Sequence, residues 1–272
     1  MWNRERHGVG SKAETIDADN GLTWGVDKVT YKTPDYMLAS AQDYHPGDKG
    51  CQEHIWQATM GPDAVVFITH PPLVSEDDSH RPNFWHGNYV LPRVAQWKDV
   101  LFAVHRLPDD DWLGFTHAYF PEYAFAEHDV QGNWAFAKVG DGYLALYAAC
   151  GLERMTRGQN AFRELRSAGK KNIWVCQMGR AALDGTFEEF KERVMAAPPE
   201  VDLDALRVTY TNLRGQTLSF GWEGPLTIDG QEQPITGFKH YDSMYCEADL
   251  PATTMELKYL DWVLRLNFEE QA

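Results

Sequence analysis

The chain has 272 residues, of which 43% are apolar and 24% charged, and its 40 acidic residues outnumber 25 basic ones, giving a net charge of −15. This balance excludes general nucleic-acid binding, which needs a basic surface, and disfavours attachment to an anionic membrane. No apolar run reaches the roughly 18 residues of a membrane-spanning helix, and the start of the chain lacks the apolar stretch of a signal peptide. We therefore expect a soluble, by default cytoplasmic, protein without a nucleic-acid or membrane partner.

The N-terminal part is polar and interrupted by glycines, so residues 1–40 are predicted to form an irregular lead-in. Residues 41–272 are predicted to form one β-sandwich domain. Within it, continuous apolar runs at 64–69 and 99–107 are typical of strands buried on both faces. A Gly-Asp-Gly turn at 140–142 between alternating segments indicates a β-hairpin.

A second hairpin is predicted around Arg214 and Gly215, and alternating segments at 255–260 and 262–268 indicate two more strands. One helix is predicted inside 184–197, with Thr186 as its N-cap. The fold class is therefore mainly β, a large antiparallel β-sandwich with one or two short helices. The residues predicted to be in the core are Trp134, Phe136, Leu144, Leu146, Ile173, Val175, Leu218, Phe220, Leu264 and Leu266.

Several strong catalytic motifs are missing from the sequence. It contains no G-x-S-x-G, G-x-G-x-x-G, Walker A or H-E-x-x-H motif, and its four cysteines lack metal-site spacing. These absences argue against an α/β-hydrolase, a P-loop enzyme and a zincin, and they predict no nucleotide cofactor.

Histidine is the best remaining source of chemistry, with ten in the chain. His54 precedes the apolar run 64–69, His70 follows it and His86 comes shortly afterwards. We expect His54 and His70 to approach one another at a sheet edge, where with His86 they would bind zinc or another divalent metal. The alternative is that each histidine is separately hydrogen bonded within the sheets.

Charge and carboxylates suggest further alternatives. Residues 154–180 carry seven basic residues and one acid, whereas 109–129 carries six acids and no lysine or arginine. Either the two segments neutralise one another, or the basic one binds a sugar acid or phosphate. Glu122, Glu127 and Asp129 lie among aromatic residues, and two such acids could serve a glycosidase.

Several short strings resemble a known family. They are YKTPDYML at 31–38, QEHIWQA at 52–58, VFITHP at 66–71, ELRS at 164–167, NIWV at 172–175 and DGTFEEF at 184–190. These are similar to the β-sheet part of heparinase II/III-like and alginate-lyase-like proteins, and the resemblance covers most of residues 30–270. It implies an antiparallel sandwich that follows a helical toroid, with cleavage of uronic-acid polysaccharides by β-elimination and, in several members, a bound metal.

The chain also departs from that family. It has no toroid, so the resemblance implies an isolated C-terminal domain or a descendant that lost the toroid, with a toroid partner or a homo-oligomer expected. Gln52 and His54 stand where an H-x-H pair is often found, and His70 stands in place of an aspartate. The family's tyrosine acid/base lies on the toroid, so whether this chain is an enzyme by itself stays open.

The leading hypothesis is a carbohydrate-active sandwich of the polysaccharide-lyase type, acting on or binding a uronic-acid polysaccharide or oligosaccharide. In catalysis, His54 or His117 would remove the proton at C5 of the uronate, and Tyr119 would protonate the leaving oxygen. Substrate binding is assigned to Gln57, Arg93, Trp56 and Trp85, and metal binding to His54, His70 and His86. The alternatives are a non-catalytic carbohydrate-binding or structural module and a small metal-dependent β-sandwich enzyme.

Overall fold

The computed structural model describes residues 6–9, 13–17, 22–50, 52–74, 81–249 and 252–268, with side chains from residue 26 onward. The strands of its first half are β1 (Arg6–Val9), β2 (Ala13–Asp17), β3 (Leu22–Val26), β4 (Lys28–Lys32), β5 (Met37–Ala41), β6 (Trp56–Thr59), β7 (Val65–Thr69), β8 (Arg93–Trp97), β9 (Val100–Arg106), β10 (Phe115–Tyr119), β11 (Glu127–Gln131) and β12 (Trp134–Val139).

The strands of its second half are β13 (Gly142–Ala148), β14 (Glu153–Arg154), β15 (Glu164–Ala168), β16 (Lys171–Arg180), β17 (Glu200–Asp202), β18 (Arg207–Thr211), β19 (Thr217–Gly221), β20 (Leu226–Ile228), β21 (Gln231–Gln233), β22 (Tyr241–Asp242), β23 (Cys246–Ala248), β24 (Thr254–Tyr259) and β25 (Trp262–Asn267). The helices are a 3₁₀ turn (Glu122–Ala124), α1 (Ala181–Asp184) and α2 (Phe187–Ala196).

Two large antiparallel sheets face one another across the main core. The first has eight strands in the order β1-β4-β5-β6-β7-β10-β15-β14, and the second has six in the order β11-β12-β13-β16-β9-β8. Because side chains alternate along a strand, every second residue points into the space between the sheets. Leu38 and Val66 of the first sheet thus share a buried cluster with Leu101 and Leu146 of the second. The predicted antiparallel, mainly β sandwich is confirmed.

The six-stranded sheet is also covered on its other face. There Phe102 and Val175 pack against Phe220 of a five-stranded sheet, β17-β18-β19-β20-β21. Farther along, Phe136 packs against Phe190 of α2. Packing on both sides of the sheet explains why residues 100–105 are all buried and why residues 100–104 are all apolar.

Helix α2 begins where the sequence predicts. The Thr186 side chain accepts a hydrogen bond from the backbone of Glu189, whose carboxylate accepts one from the Thr186 backbone, forming a capping box. Phe187, Phe190 and Val194 form its buried face. With ten residues α2 is the longest helix in the described ranges, and none there is long and apolar enough to cross a membrane.

Two sequence predictions about the ends of the chain are wrong. Residues 1–40 were predicted to be an irregular lead-in, but their described parts form mainly strands. In β4, Val29 and Tyr31 alternate with polar residues and bury their side chains. Residues 1–5, 10–12 and 18–21 lie outside the described ranges. Leu264 is 53% exposed and Leu266 is only partly buried. Both lie on a four-stranded sheet, β22-β23-β24-β25, and no residue of this sheet belongs to the buried clusters of the described residues. The other eight residues predicted to be in the core are buried.

Candidate functional site

An aromatic cluster lies on the outer face of the eight-stranded sheet. Tyr119 pairs with Phe67 of β7 on one side and with Glu164 of β15 on the other, so all three point away from the core. Residues 83–86 cross this face and bring Trp85 against them. The Trp85 ring centroid is 5.2 Å from that of Tyr119 and 6.2 Å from that of Phe67. We call this group the outer-face cluster.

His117 is buried beneath the cluster and packs against Trp85. Its ring lies flat against Trp85, with centroids 4.3 Å apart and planes 4° from parallel. Its Nδ1 is 3.0 Å from Oε1 of Glu164, and its Nε2 is 2.9 Å from the Phe84 carbonyl oxygen. Burial lowers the pKa of His117, and Glu164 opposes that effect. Because both ring nitrogens face acceptors inside the protein, His117 cannot take a proton from a substrate, and the prediction that it is a catalytic base is wrong.

His54 is placed differently, at the exposed rim of the cluster. Its ring stacks on Phe67 with centroids 4.4 Å apart, and its Nε2 lies 2.6 Å from the Trp85 carbonyl oxygen. A carbonyl only accepts hydrogen bonds, so Nε2 carries the proton. Partial desolvation of the ring, one face of which is covered by Phe67, is the main cause that lowers the pKa of His54, and nearby His86 adds to it. The ring is therefore neutral at pH 7, which leaves Nδ1 with the lone pair that a general base needs.

Tyr119 lies on the other side of the cluster and also stacks on Phe67, with centroids 5.3 Å apart. Its hydroxyl is 2.9 Å from that of Tyr123, which is 70% exposed. Burial, together with Tyr123, raises the pKa of Tyr119 to about 12, while the charge of Arg163 acts in the opposite direction. The phenol therefore keeps its proton at neutral pH and is able to donate it.

Arg163 and Asn160 complete the cluster, and neither is among the individual site residues predicted from the sequence. Oδ1 of Asn160 accepts hydrogen bonds from Nε1 of Trp85, at 3.3 Å, and from Nε of Arg163, at 3.1 Å. The amide thereby fixes an aromatic ring and a cation next to each other. The basic run 154–180 was the signal for Arg163, but sequence alone could not separate it from Arg154, whose guanidinium pairs with Glu122.

Two other predicted substrate-binding residues are neighbours in β6. Gln57 points to the outer face, where its Nε2 donates to Oγ1 of Thr59 at 2.9 Å. Trp56 points the other way and is 1% exposed inside the main core. Since successive side chains of a strand face opposite sides, only one of the two can reach a ligand on this face. The assignment of Trp56 to substrate binding is therefore wrong.

Arg93 is used for structure rather than for binding at the cluster. Its Nε donates to Oδ1 of Asp43 at 2.8 Å, and its Nη1 donates to the carbonyls of Gly221, Trp222 and Gly224 at 2.9, 3.0 and 2.8 Å. These bonds fasten the five-stranded sheet to β8. The guanidinium is committed to them, so the prediction that Arg93 binds a uronate is wrong.

The predicted metal ligands are not assembled. Phe67, which His54 contacts, and His70 lie three positions apart and so face opposite sides of the sheet. Nε2 of His70 is 3.0 Å from Oδ1 of Asp111, without the angle of a good hydrogen bond. His86 is exposed and lies near His54. In the described parts of the chain, no three His, Cys, Asp or Glu side chains are grouped closely enough to hold a metal ion.

The three acids considered for the glycosidase alternative are not brought together either. Glu122 is bound by Arg154 and lies 3.2 Å from Nε2 of His128. Glu127 pairs with Lys138, and Asp129 pairs with Lys191. Each acid is thus neutralised by a different cation, and none of these contacts joins them to a shared site.

Comparisons with known proteins do not assign the chain: no family model, curated protein or solved structure matches it. The resemblance to heparinase II/III-like proteins therefore depends on the short strings alone.

Proposed function

We propose that the outer-face cluster is a carbohydrate site of the polysaccharide-lyase type, which takes a saccharide with a uronic-acid unit. The observation that carries the proposal is the stacking of His54 and Tyr119 on the same ring, that of Phe67. This shared contact puts a neutral imidazole and a protonated phenol on one face of one sheet. β-Elimination needs such a pair of groups, a base and an acid at separate atoms of the same sugar.

The other residues of the cluster supply binding. Trp85 and Phe67, each 7% exposed, form the apolar floor on which His54 and Tyr119 rest, and Gln57 offers an amide on the same face of the sheet. Arg163, held by Asn160, supplies the positive charge that a uronate carboxylate needs. That charge also acidifies the proton at C5, because it stabilises the negative charge that develops when the proton leaves.

The reaction is balanced without any further reactant. Nδ1 of His54 takes the proton from C5, the electron pair forms the C4–C5 double bond, and the C4–O4 bond breaks. The Tyr119 hydroxyl gives its proton to O4 of the leaving sugar. Transfer of the proton from His54 to solvent and reprotonation of Tyr119 restore the starting state.

The test is an ultraviolet assay, because the product of elimination is an unsaturated uronate that absorbs. Alginate, hyaluronan, heparosan and pectate are each incubated with the protein. We expect an increase in absorbance with at least one of them, reduced about 10²-fold or more by His54→Gln and by Tyr119→Phe. Tyr259→Phe is the matched control, since Tyr259 is 69% exposed on β24.

Two outcomes would count against this proposal. Saccharide binding without any absorbing product would favour the alternative of a non-catalytic carbohydrate-binding module. Product formation that survives both His54→Gln and Tyr119→Phe would place the chemistry elsewhere in the chain.

A further inference from the structure

A cavity of about 610 Å³ lies beside His70, outside the outer-face cluster. Its walls come from the turn 46–49, from the loop 106–112 and from Trp222, which follows β19. Nothing in the proposed elimination uses these residues.

The cavity is lined by three aromatic side chains, Tyr89, Trp112 and Trp222. Trp112 is 68% exposed, an unusual state for the largest apolar side chain. Exposed indole and phenol rings give an apolar face with a polar edge, which suits a ligand that is itself apolar on one face and polar at its rim. A pyranose ring has this character.

Trp222 is fixed in place from several sides. Its backbone N–H donates to Leu206 at 2.9 Å, and its carbonyl accepts from Arg93 at 3.0 Å. The turn packs against its ring at Gly47, where φ is +87° and where a Cβ would come to 3.4 Å from Cζ2. A ring held in this way loses little freedom when a ligand stacks on it.

The loop that carries Trp112 is fixed by the preceding residue. Asp111 is buried, with 8% of its surface exposed. Its Oδ2 accepts a hydrogen bond from the backbone of Gly114 at 2.6 Å, and its Oδ1 is 3.0 Å from Nε2 of His70. Both sides of the cavity are therefore preformed.

The charged residues that line the cavity indicate whether its ligand is charged or neutral. Its charged lining residues are Lys49, Arg106, Asp48, Asp110 and Asp111. Lys49 and Arg106 lie over the rings of Tyr89 and Trp222, with the cations 5.0 and 5.8 Å from the ring centroids. The Asp111 carboxylate is directed at His70 and Gly114, so Asp48 and Asp110 balance the two cations and the lining has no excess positive charge to attract an anionic ligand. The same groups accept from and donate to hydroxyls, which favours an uncharged sugar unit.

The cavity and the outer-face cluster are joined by one short segment. Trp85 and Tyr89 are four residues apart, so their Cα atoms lie within roughly 14 Å of each other at full extension. We propose that the cavity is a distal subsite that binds a neutral pyranose unit of the same saccharide whose acidic unit lies at the outer-face cluster. This inference rests on the proposed function and names the ligand more closely, as a chain with both acidic and neutral units.

The test uses calorimetry to measure how the affinity for a saccharide depends on its length. The probes are size-fractionated oligosaccharides of hyaluronan and heparosan, which alternate acidic and neutral units, and alginate oligosaccharides, which are acidic throughout. For the alternating probes, we expect Trp112→Ala to weaken binding of the longest at least about tenfold and to leave the shortest that binds unchanged. Trp262→Ala, which removes an 80% exposed indole on β25, is the matched control.

The same titrations separate the two proposals. Arg163→Gln is expected to weaken binding at every length, because it changes the site of the acidic unit. If Arg163→Gln weakens binding while Trp112→Ala binds all lengths like the parent, the subsite is overturned and the proposed function stands. If only Trp112→Ala weakens binding, the proposed function is overturned and the cavity is a saccharide site by itself. If no probe binds, both are overturned.

Discussion

The backbone carbonyl of Trp85 accepts a hydrogen bond from Nε2 of His54 at 2.6 Å. This one contact sets the tautomer of the imidazole and ties it to the segment that carries the Trp85 ring. On the other side of that ring, His117 is fixed by Glu164 and by the Phe84 carbonyl. Two histidines predicted as equivalent bases thus have separate roles: His54 is available for chemistry, and His117 is a positioning residue.

The Glu164–His117 pair gives the first prediction. Its side chains are 0% exposed, and Glu164 also accepts a hydrogen bond from Nε of Arg166 at 2.6 Å, so removing the carboxylate leaves a buried imidazole without its acceptor and a partly buried guanidinium without its counter-ion. We expect Glu164→Leu to lower the free energy of unfolding by about 3–5 kcal/mol. Urea denaturation measures this loss. Glu127→Leu is the control, since Glu127 is 53% exposed and its pair with Lys138 lies on the surface. Equal stability of the two variants would contradict the role given to His117.

The second prediction separates two arginines. Arg93→Lys loses the planar fork that binds Asp43 and three carbonyls, so we expect a loss of unfolding free energy of about 2 kcal/mol or more. Arg163→Lys keeps a positive charge near Tyr119 but loses the geometry set by Asn160. It should therefore weaken saccharide binding while changing stability by less than about 1 kcal/mol. Denaturation and calorimetry on both variants check this. If Arg93→Lys weakens saccharide binding and Arg163→Lys lowers stability instead, Arg93 is the residue that binds the saccharide.

The third prediction compares two leucines that the sequence pattern does not distinguish. Leu146 is 0% exposed in the main core, and Leu264 is 53% exposed on β25. Leu146→Ala should cost about 2–5 kcal/mol, because it leaves a cavity. Leu264→Ala should change the free energy of unfolding by no more than roughly 0.5 kcal/mol. A large loss in Leu264→Ala would show that this sheet is covered in solution.

The fourth prediction concerns the loss of folding stability at acidic pH. Burial lowers the pKa of His70 to about 4 and that of His105 to about 3. In the unfolded chain both have ordinary values near 6.5. Between pH 6.5 and 4 the unfolded chain therefore binds protons that the folded chain does not, so stability falls as the pH falls. Asp99, whose pKa burial raises to about 6, offsets part of this loss because it binds a proton in the folded state.

Denaturation of the His105→Leu variant at pH 7 and at pH 5 measures this effect. The loss of stability between the two values should be smaller than in the parent, because the variant has no imidazole to protonate on unfolding. His86→Leu, at an exposed position, should keep the loss of the parent. An unchanged difference in His105→Leu would show that other groups control the response to acid.

The fold could be predicted because local patterns determine it. The capping box of Thr186 and Glu189, the turn at Gly140 and the doubly buried run of β9 are all visible within short stretches. The same patterns do not say which face of a strand is covered. Trp56 and Gln57 were both assigned to substrate binding, but adjacent residues of a strand face opposite sides, and Trp56 packs in the core against the second sheet.

The site was harder to predict, because its contacts join distant residues. Arg93 bonds to a carbonyl 131 positions away, and Trp85 bonds to Asn160, 75 positions away. Neither pair has a spacing that a sequence could display. The environment of His70 could not be predicted for the same reason, because its neighbour Asp111 lies on a loop that is distant in the sequence.

The pH dependence of kcat/KM for the substrate found in the ultraviolet assay tests the central claim most directly. His54 must be neutral to accept a proton, so the rate should rise with pH through a pKa below 6.5. Tyr119 must stay protonated, and with its pKa raised to about 12 the rate should then remain level across the alkaline range that the fold tolerates. A rate that falls from neutral pH upwards, or a rising limb that persists in His54→Gln, would contradict the assignment of His54 as base and Tyr119 as acid.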